Sequence, residues 1–422
     1  MKYGLVMLIA LLVVGCSTDG ELQTPEQSPF MLYISVPDDD AATTRSAGDP
    51  IFADREFEKR ISSLDVWVFK TKESGDATYQ PFSLDGTNGE QVGWLYKHLN
   101  KEEIILSGGV KQVVFTVGKN FNPGPLDVYA IANIASVRDI TTVEENNFMV
   151  PGDQSTDLDP SRIAAVRSWL ENELYLSGDE HFSFKFKNPN NPGSLSESYN
   201  YSFPTIEDME NENYPGLPMS GKGEGLMVKS RYEMFVLDQI QIKRAVAKLR
   251  IVVARTADMT DVSIERLFVR NIWLPKEEYL FREGTELLNS DPKDIRTPMI
   301  PKLYAEDIAV NPIPWSLDEN PSNTGQKWED NINQAIKARE ASEVARYYMR
   351  ETKGTMKIIL RYKLSSGGSI KGSANDSSPF IQFSGGIPRN KSLTIYLFFA
   401  NGAITYEVSN WDQQSVTYPD FY

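Results

Sequence analysis

The stretch Ser392-Leu-Thr-Ile-Tyr-Leu-Phe-Phe-Ala-Asn-Gly-Ala-Ile-Thr-Tyr-Glu-Val408 reads as a β-hairpin. Leu393, Ile395, Leu397 and Phe399 share one face, Ile404, Tyr406 and Val408 share another, and Asn401-Gly402 between them is a strong two-residue turn signal. Such alternation puts one face on a core and the other toward water, as antiparallel sheets do. Working outward, the same richness in β-branched and aromatic residues predicts strands over Ile61 to Phe69, Val110 to Val117, Leu126 to Ile134, His181 to Phe186, Gln239 to Val253, Ile264 to Leu274 and Met356 to Leu364. Within Gln239 to Val253 the apolar phase changes. Ile240 and Ile242 share one parity, whereas Ala245, Ala247, Leu249, Ile251 and Val253 share the other, which calls for a bulge or a move between sheets near Arg244.

Two segments read as helical insertions. Asp159-Pro160 has the form of an N-cap followed by proline at the first helical position, and Ile163, Val166, Leu170 and Leu174 then make an apolar stripe. Glu329 to Arg350, with Ile332, Ile336 and Val344 at looser spacing, is the second. Leu217-Pro-Met-Ser-Gly-Lys-Gly-Glu-Gly225 breaks periodicity and reads as a flexible connector, with enough strands on either side for separate cores. The expectation is a mainly β chain, two antiparallel β-sandwich domains with short helical insertions, joined near residue 235 and covering 46–235 and 236–422.

The N-terminus carries a targeting signal. Lys2 precedes the apolar run Leu5 to Val14, which ends at Gly15-Cys16 and turns polar at Ser17. That run is too short to cross a bilayer, and a small residue before cysteine is a signal cleavage site. Cys16 is the only cysteine of 422 residues, so no intrachain disulfide or multi-thiolate metal site can form. Val13-Val14-Gly15-Cys16 resembles the bacterial lipobox, which implies that residues 1–16 end in a lipidated (palmitate-type) cysteine at the mature N-terminus; the alternative is a cysteine discarded with its signal.

Residues 17–29 are polar and tether-like, and Phe30-Met-Leu-Tyr-Ile-Ser-Val36 then reads as a strand with Leu32, Ile34 and Val36 on one face. Pro37 and Asp38 to Asp40 stop it. The small residues around Arg45-Ser46 form the kind of extended loop that enters a trypsin-like protease. An arginine in a loop is more often simply solvated, and both readings stand at this point.

Composition excludes several classes. A formal charge of -15 argues against nucleic acid, whose phosphates need surplus Lys and Arg, and 41% hydrophobic content with 20 Phe, 19 Tyr and 7 Trp is ample for a folded core. Only His98 and His181 exist, no Gly-x-Ser-x-Gly elbow or His-Glu-x-x-His pair occurs, and Gly221-Lys-Gly-Glu-Gly225 lacks the spacing of a phosphate-binding loop. Asp153, Asp157 and Asp159 could hold calcium but lack the sequence of a calcium loop, so a solvated turn and helix cap is the better reading. Glu102-Glu103 and Glu277-Glu278 are too common a pattern to nominate a glycosidase pair. Trp94, Trp315 and Trp328 lie in polar surroundings and offer ring faces to a sugar, half-buried packing being the commoner fate. No catalytic residue, metal or cofactor is expected.

Several stretches are similar to the fimbrillin family, the type V pilins of Gram-negative anaerobes: Ile61 to Phe69, Val128-Tyr-Ala-Ile-Ala-Asn133, Leu217-Pro-Met-Ser-Gly221, Lys243-Arg-Ala-Val-Ala-Lys248, Ile387-Pro-Arg-Asn390 and Tyr406-Glu-Val-Ser-Asn-Trp411. The resemblance spans nearly the whole chain. It implies transthyretin-like sandwiches, an outer-membrane lipoprotein precursor, and maturation by an arginine-specific protease that removes residues 17–45 with the first strand. It also implies a cell-surface fimbria assembled from self or paralogous subunits by donor-strand exchange, with adhesion as the purpose. The donor would be Gln413 to Tyr422, presenting Val416 and Tyr418 alternately; Pro419 cannot donate to a ladder, and a closing strand of the subunit's own sheet is the other reading of this tail. Arg45 and the tail favour a stalk subunit over a tip or anchor. The contrasting class is a monomeric glycan-binding surface lipoprotein.

Overall fold

The structure is a computed structural model. It describes residues 27–36, 56–85, 90–107, 110–133, 158–172, 174–177, 182–187, 195–201, 216–231, 234–255, 262–274, 278–282, 291–295, 342–352, 356–364, 370–371, 381–383, 386–400 and 403–408.

The chain is mainly β. Numbered along the chain, one five-stranded sheet has the order β13 (Lys229–Arg231), β14 (Met234–Gln241), β1 (Gln27–Ser35), β7 (Val110–Gly118), β6 (Ile105–Ser107). Against it lies a second, β15 (Lys243–Arg244), β12 (Met219–Met227), β8 (Pro125–Ala132), β2 (Leu64–Lys70), β5 (Leu95–Leu99). The pair β3 (Phe82–Ser83) and β4 (Gln91–Val92) flanks them. A four-stranded sheet runs β11 (Leu195–Tyr201), β10 (Phe182–Lys187), β9 (Tyr175–Ser177), β18 (Glu278–Tyr279). The C-terminal part forms β20 (Ser342–Met349), β16 (Ala247–Arg255), β24 (Ser392–Ala400), β25 (Ala403–Val408), and β19 (Asp291–Ile295), β17 (Val262–Leu274), β21 (Met356–Leu364), β22 (Ile370–Lys371), with β23 (Ile381–Phe383) also on β21.

Strand alternation builds two cores around β2 and β8. Leu64, Val66 and Val68 of β2 and Leu126, Val128, Ala130 and Ala132 of β8 face the first sheet, where Phe30, Leu32 and Ile34 meet them. The intervening Trp67, Phe69, Tyr129 and Ile131 face the opposite way, into a core closed by the helix Pro160–Asn172 through Ile163, Val166, Trp169 and Leu170. Covered on both faces, β2 and β8 carry nearly continuous apolar runs. The helix starts where the sequence says: Asp159 Oδ1 accepts the Ser161 N–H at 2.9 Å, and its carbonyl takes the N–H groups of Arg162 and Ile163. One buried ion pair fixes it to the sheet, Arg167 Nη1 lying 2.6 Å from Asp127 Oδ2.

The phase change near Arg244 is a move between sheets. β14 belongs to the first sheet, β15 to the second and β16 to a C-terminal one, so the chain visits three sheets in about twenty residues. The predicted hairpin forms, its ladder closing at Ala400 opposite Ala403. Three findings differ from expectation. Two ladders are parallel, β1 with β14 and β16 with β24, where only antiparallel pairing was expected. Gly221 to Gly225 is not a flexible connector but the middle of β12, where Gly221, Lys222 and Gly223 pair with β8 and the register shifts between Gly223 and Leu226. Part of the expected second helix, Ser342–Met349, is the strand β20; its earlier residues, 329–341, lie outside the described residues.

Candidate strand-exchange groove

β1 lies in the middle of its sheet. From Gln27 opposite Gly118 to Ser35 opposite Val110 it pairs antiparallel with β7, and from Phe30 opposite Phe235 to Ser35 opposite Gln241 it pairs parallel with β14. Pro29 is tolerated in this central strand because β14 pairing begins only at Phe30. The chain end of the strand is tied as well, the Ser35 carbonyl accepting the Ile242 N–H at 2.8 Å.

Phe30, Leu32 and Ile34 are all fully buried. The Phe30 ring lies 5.9 Å from Phe115 and 5.4 Å from Phe121, and Phe121 in turn meets Phe82 and Phe235. Fully burying one such side chain stabilises by about 1.5–3 kcal/mol, so the three together contribute on the order of 5–9 kcal/mol. That is comparable with the whole net stability of a domain, roughly 5–15 kcal/mol. Taking β1 out also strips hydrogen-bond partners from both β7 and β14, leaving unpaired donors and acceptors beside an apolar slot.

Of the residues singled out in the sequence, Leu32 and Ile34 face the core together, while Val36 falls just past the strand and is half-buried against it. Cys16, Arg45, Ser46, Val416, Tyr418, Asp153, Asp157, Trp315, Trp328 and His181 lie outside the described residues. Asp159 serves as the helix cap, and its carboxyl is held below the usual range by the Ser161 backbone and side chain. Among the described residues no group of three His, Cys, Asp or Glu is placed to hold a metal. Trp94 takes the packing role over the sugar-stacking one: it is fully buried, more completely than the half-buried packing expected, and lies 6.3 Å from Phe69. His98 Nδ1 bonds the buried Asp65 carboxylate at 2.9 Å.

Sequence reasoning missed a buried junction. Glu58 and Lys248 pair at 2.9 Å with both side chains fully enclosed, and the Tyr348 hydroxyl also donates to Glu58. Beside them Arg244 donates to the Glu58 carbonyl through Nε at 2.6 Å and to Asn390 Oδ1 at 3.1 Å. Two motifs quoted above, Lys243 to Lys248 and Ile387 to Asn390, supply most of this network; their charged residues inside apolar surroundings were the available signal.

No protein-family profile matches the chain, and no curated protein sequence matches it. Among solved structures it is similar to the tip fimbrial protein Mfa3 from Porphyromonas gingivalis with C-terminal truncation, at 12% identity and a TM-score of 0.41, covering 91% of this chain and 100% of that one. A fimbrial assembly protein from Parabacteroides distasonis matches at 12% identity and 0.37, covering 94% and 100%. The fimbrial anchor protein Mfa2 from Porphyromonas gingivalis matches at 7% identity and 0.30, covering 93% and 99%. Superpositions this loose permit no transfer of residue roles.

Proposed function

We propose that this chain is a non-catalytic structural subunit of a surface fimbria with a role in adhesion, exported as a lipoprotein through Cys16 and polymerised by strand exchange after cleavage at Arg45-Ser46. The observation that carries the reading is the position of β1. A strand that supplies three fully buried side chains and both neighbouring ladders is joined to the rest of the chain through the segment that carries Arg45, the cleavage point that the fimbrillin resemblance implies. Cutting after Arg45 severs that covalent tie and makes β1 a dissociable ligand of its own sheet.

The vacated slot then takes an extended segment from a neighbour. Gln413 to Tyr422, at the opposite end of the sequence, is the proposed donor, with Val416 and Tyr418 entering positions vacated by β1 side chains. A contact between two different surfaces of identical subunits does not close on itself, so it propagates as a fibre. Other fimbrial subunits, self or paralogous, are the partners, and Arg45 with the tail favours a stalk position over a tip or anchor.

Incubation of the full chain with an arginine-specific protease tests this reading. The expected result is a new N-terminus at Ser46 together with a ladder of oligomers that survives mild heating in detergent. A cleaved chain that stays monomeric overturns polymerisation; sugar binding by that monomer would instead identify a glycan-binding surface lipoprotein.

A further inference from the structure

We infer that the cleft beside β12 and β15 is a binding site for a small anionic ligand carrying a carboxylate or sulfate-like oxyanion. This site is separate from the β1 groove and does not rest on strand exchange. The cleft encloses about 430 Å³ and is lined by Lys222, Lys243, Arg282 and Arg389 above an apolar floor of Leu280 and Phe281. That volume suits a small molecule, and an apolar floor with a few converging polar groups is the usual make-up of such sites.

Charge is what sets the cleft apart. The chain is acidic overall, at -15, yet the described residues lining this cleft include four cations and no carboxylate. A concavity walled by one sign of charge focuses the field and concentrates counter-ions of the opposite sign. Lys222 meets Glu224 at 2.8 Å in a solvent-exposed pair, which is readily exchanged for a better partner. Arg389 Nε stands 3.9 Å from Glu351 Oε2.

The cleft is also held in shape before any ligand arrives. Ser220 Oγ and Arg389 Nη1 both donate to the Leu280 carbonyl, and the Leu280 N–H donates to the Leu174 carbonyl at 3.0 Å. Arg282 is set over the Tyr279 ring at 5.1 Å. Gly221 lets the wall close, because a Cβ there would stand 2.3 Å from the Gln241 carbonyl oxygen. A positioned guanidinium beside an ammonium group suits the planar fork of a carboxylate or the oxygens of a sulfate.

Calorimetric titration of the uncut full chain with 3′-sialyllactose, sodium sulfate and neutral lactose tests the site. Sialyllactose or sulfate should bind with an affinity that falls as sodium chloride is raised, and lactose should not. Preference for sialyllactose identifies a carboxylated saccharide and preference for sulfate a free inorganic oxyanion; either supports the site. Arg282→Glu and Lys222→Glu should each weaken binding about tenfold or more while leaving the thermal midpoint unchanged. Lys229→Glu, whose ammonium lies outside the cleft against Asp238, should bind as the parent does. Failure of both anions to bind at millimolar concentration, or equal loss with Lys229→Glu, overturns the inference.

Discussion

Lys248 Nζ lies 2.9 Å from Glu58 Oε1, 190 residues away in sequence, and neither side chain is reached by solvent. Glu58 belongs to the short helix Glu56–Lys59, the first described segment after the proposed cleavage site, and Lys248 to β16. The pair therefore fastens the segment that follows Arg45 onto the C-terminal half of the chain. Glu58→Gln leaves a buried ammonium without its counter-charge and should destabilise by about 3–5 kcal/mol. Chemical denaturation measures this, and Glu58→Gln combined with Lys248→Met should recover part of the loss because no orphan charge remains.

Asn133 is a second buried fastening. It adopts φ 64°, donates through Nδ2 to the carbonyls of Arg60 and Leu217 at 2.7 Å each, and accepts the Ser62 N–H at 2.8 Å. Gly216 passes so close that a Cβ on it would meet the Arg60 carbonyl oxygen at 2.4 Å, at a φ of 100°. Asn133→Gly keeps the backbone accessible but strips three partners, at about 2–4 kcal/mol. Asn133→Ala should cost about 1 kcal/mol more, because alanine is strained in the left-handed region. The ordering of the two variants in urea unfolding is the check.

Tyr129 gives stability a dependence on alkaline pH. Burial raises its hydroxyl pKa well above the usual value of a phenol, and the hydrogen bond to Glu171 adds to the effect, against the opposing pull of Arg167. With the folded pKa above the unfolded one, the native state holds a proton that the unfolded chain releases beyond about pH 10, so this contribution is intact below that pH and declines above it. Its slope approaches about 1.4 kcal/mol per pH unit. Unfolding free energy measured from neutral to strongly alkaline pH should fall less steeply for Tyr129→Phe than for the parent.

The β1 groove makes a prediction for the uncut chain. Phe30→Ala removes a ring that packs on Phe115 and Phe121 in a fully buried position and should cost about 3–5 kcal/mol. Tyr33→Ala, on the other face of the same strand and half-buried, should cost clearly less. Thermal unfolding of the two variants before protease treatment distinguishes them.

Much of this architecture was legible because alternation carries face information. Leu32 and Ile34 were assignable to a core face, and the parity change across Gln239 to Val253 located the passage between sheets. Ladder direction was not legible, since side-chain parity is the same whether a neighbour runs parallel or antiparallel; hence β1 with β14 came as a finding. Glycines misled in Gly221 to Gly225. Their bareness there reflects the close approach of Gln241 to Gly221 and the positive φ of Gly225, neither of which is a local property of the sequence. For Trp94, between Gly93 and Leu95, the packing reading holds, its ring turned inward toward Phe69. For Ser342–Met349 the loose helical spacing outweighed a run with Val344, Tyr347 and Tyr348, whose β preference the structure follows.

Competition for the vacated slot tests strand exchange most directly. Chain cut at Arg45 is allowed to assemble in the presence of a synthetic peptide with the sequence of Gln27 to Val36, and the oligomer distribution is read by detergent gel. Strand exchange predicts that the peptide shortens the ladder in proportion to its concentration, and that the same peptide with Leu32→Lys does not. An unchanged ladder at saturating peptide would contradict the claim that β1 and the incoming segment occupy one groove.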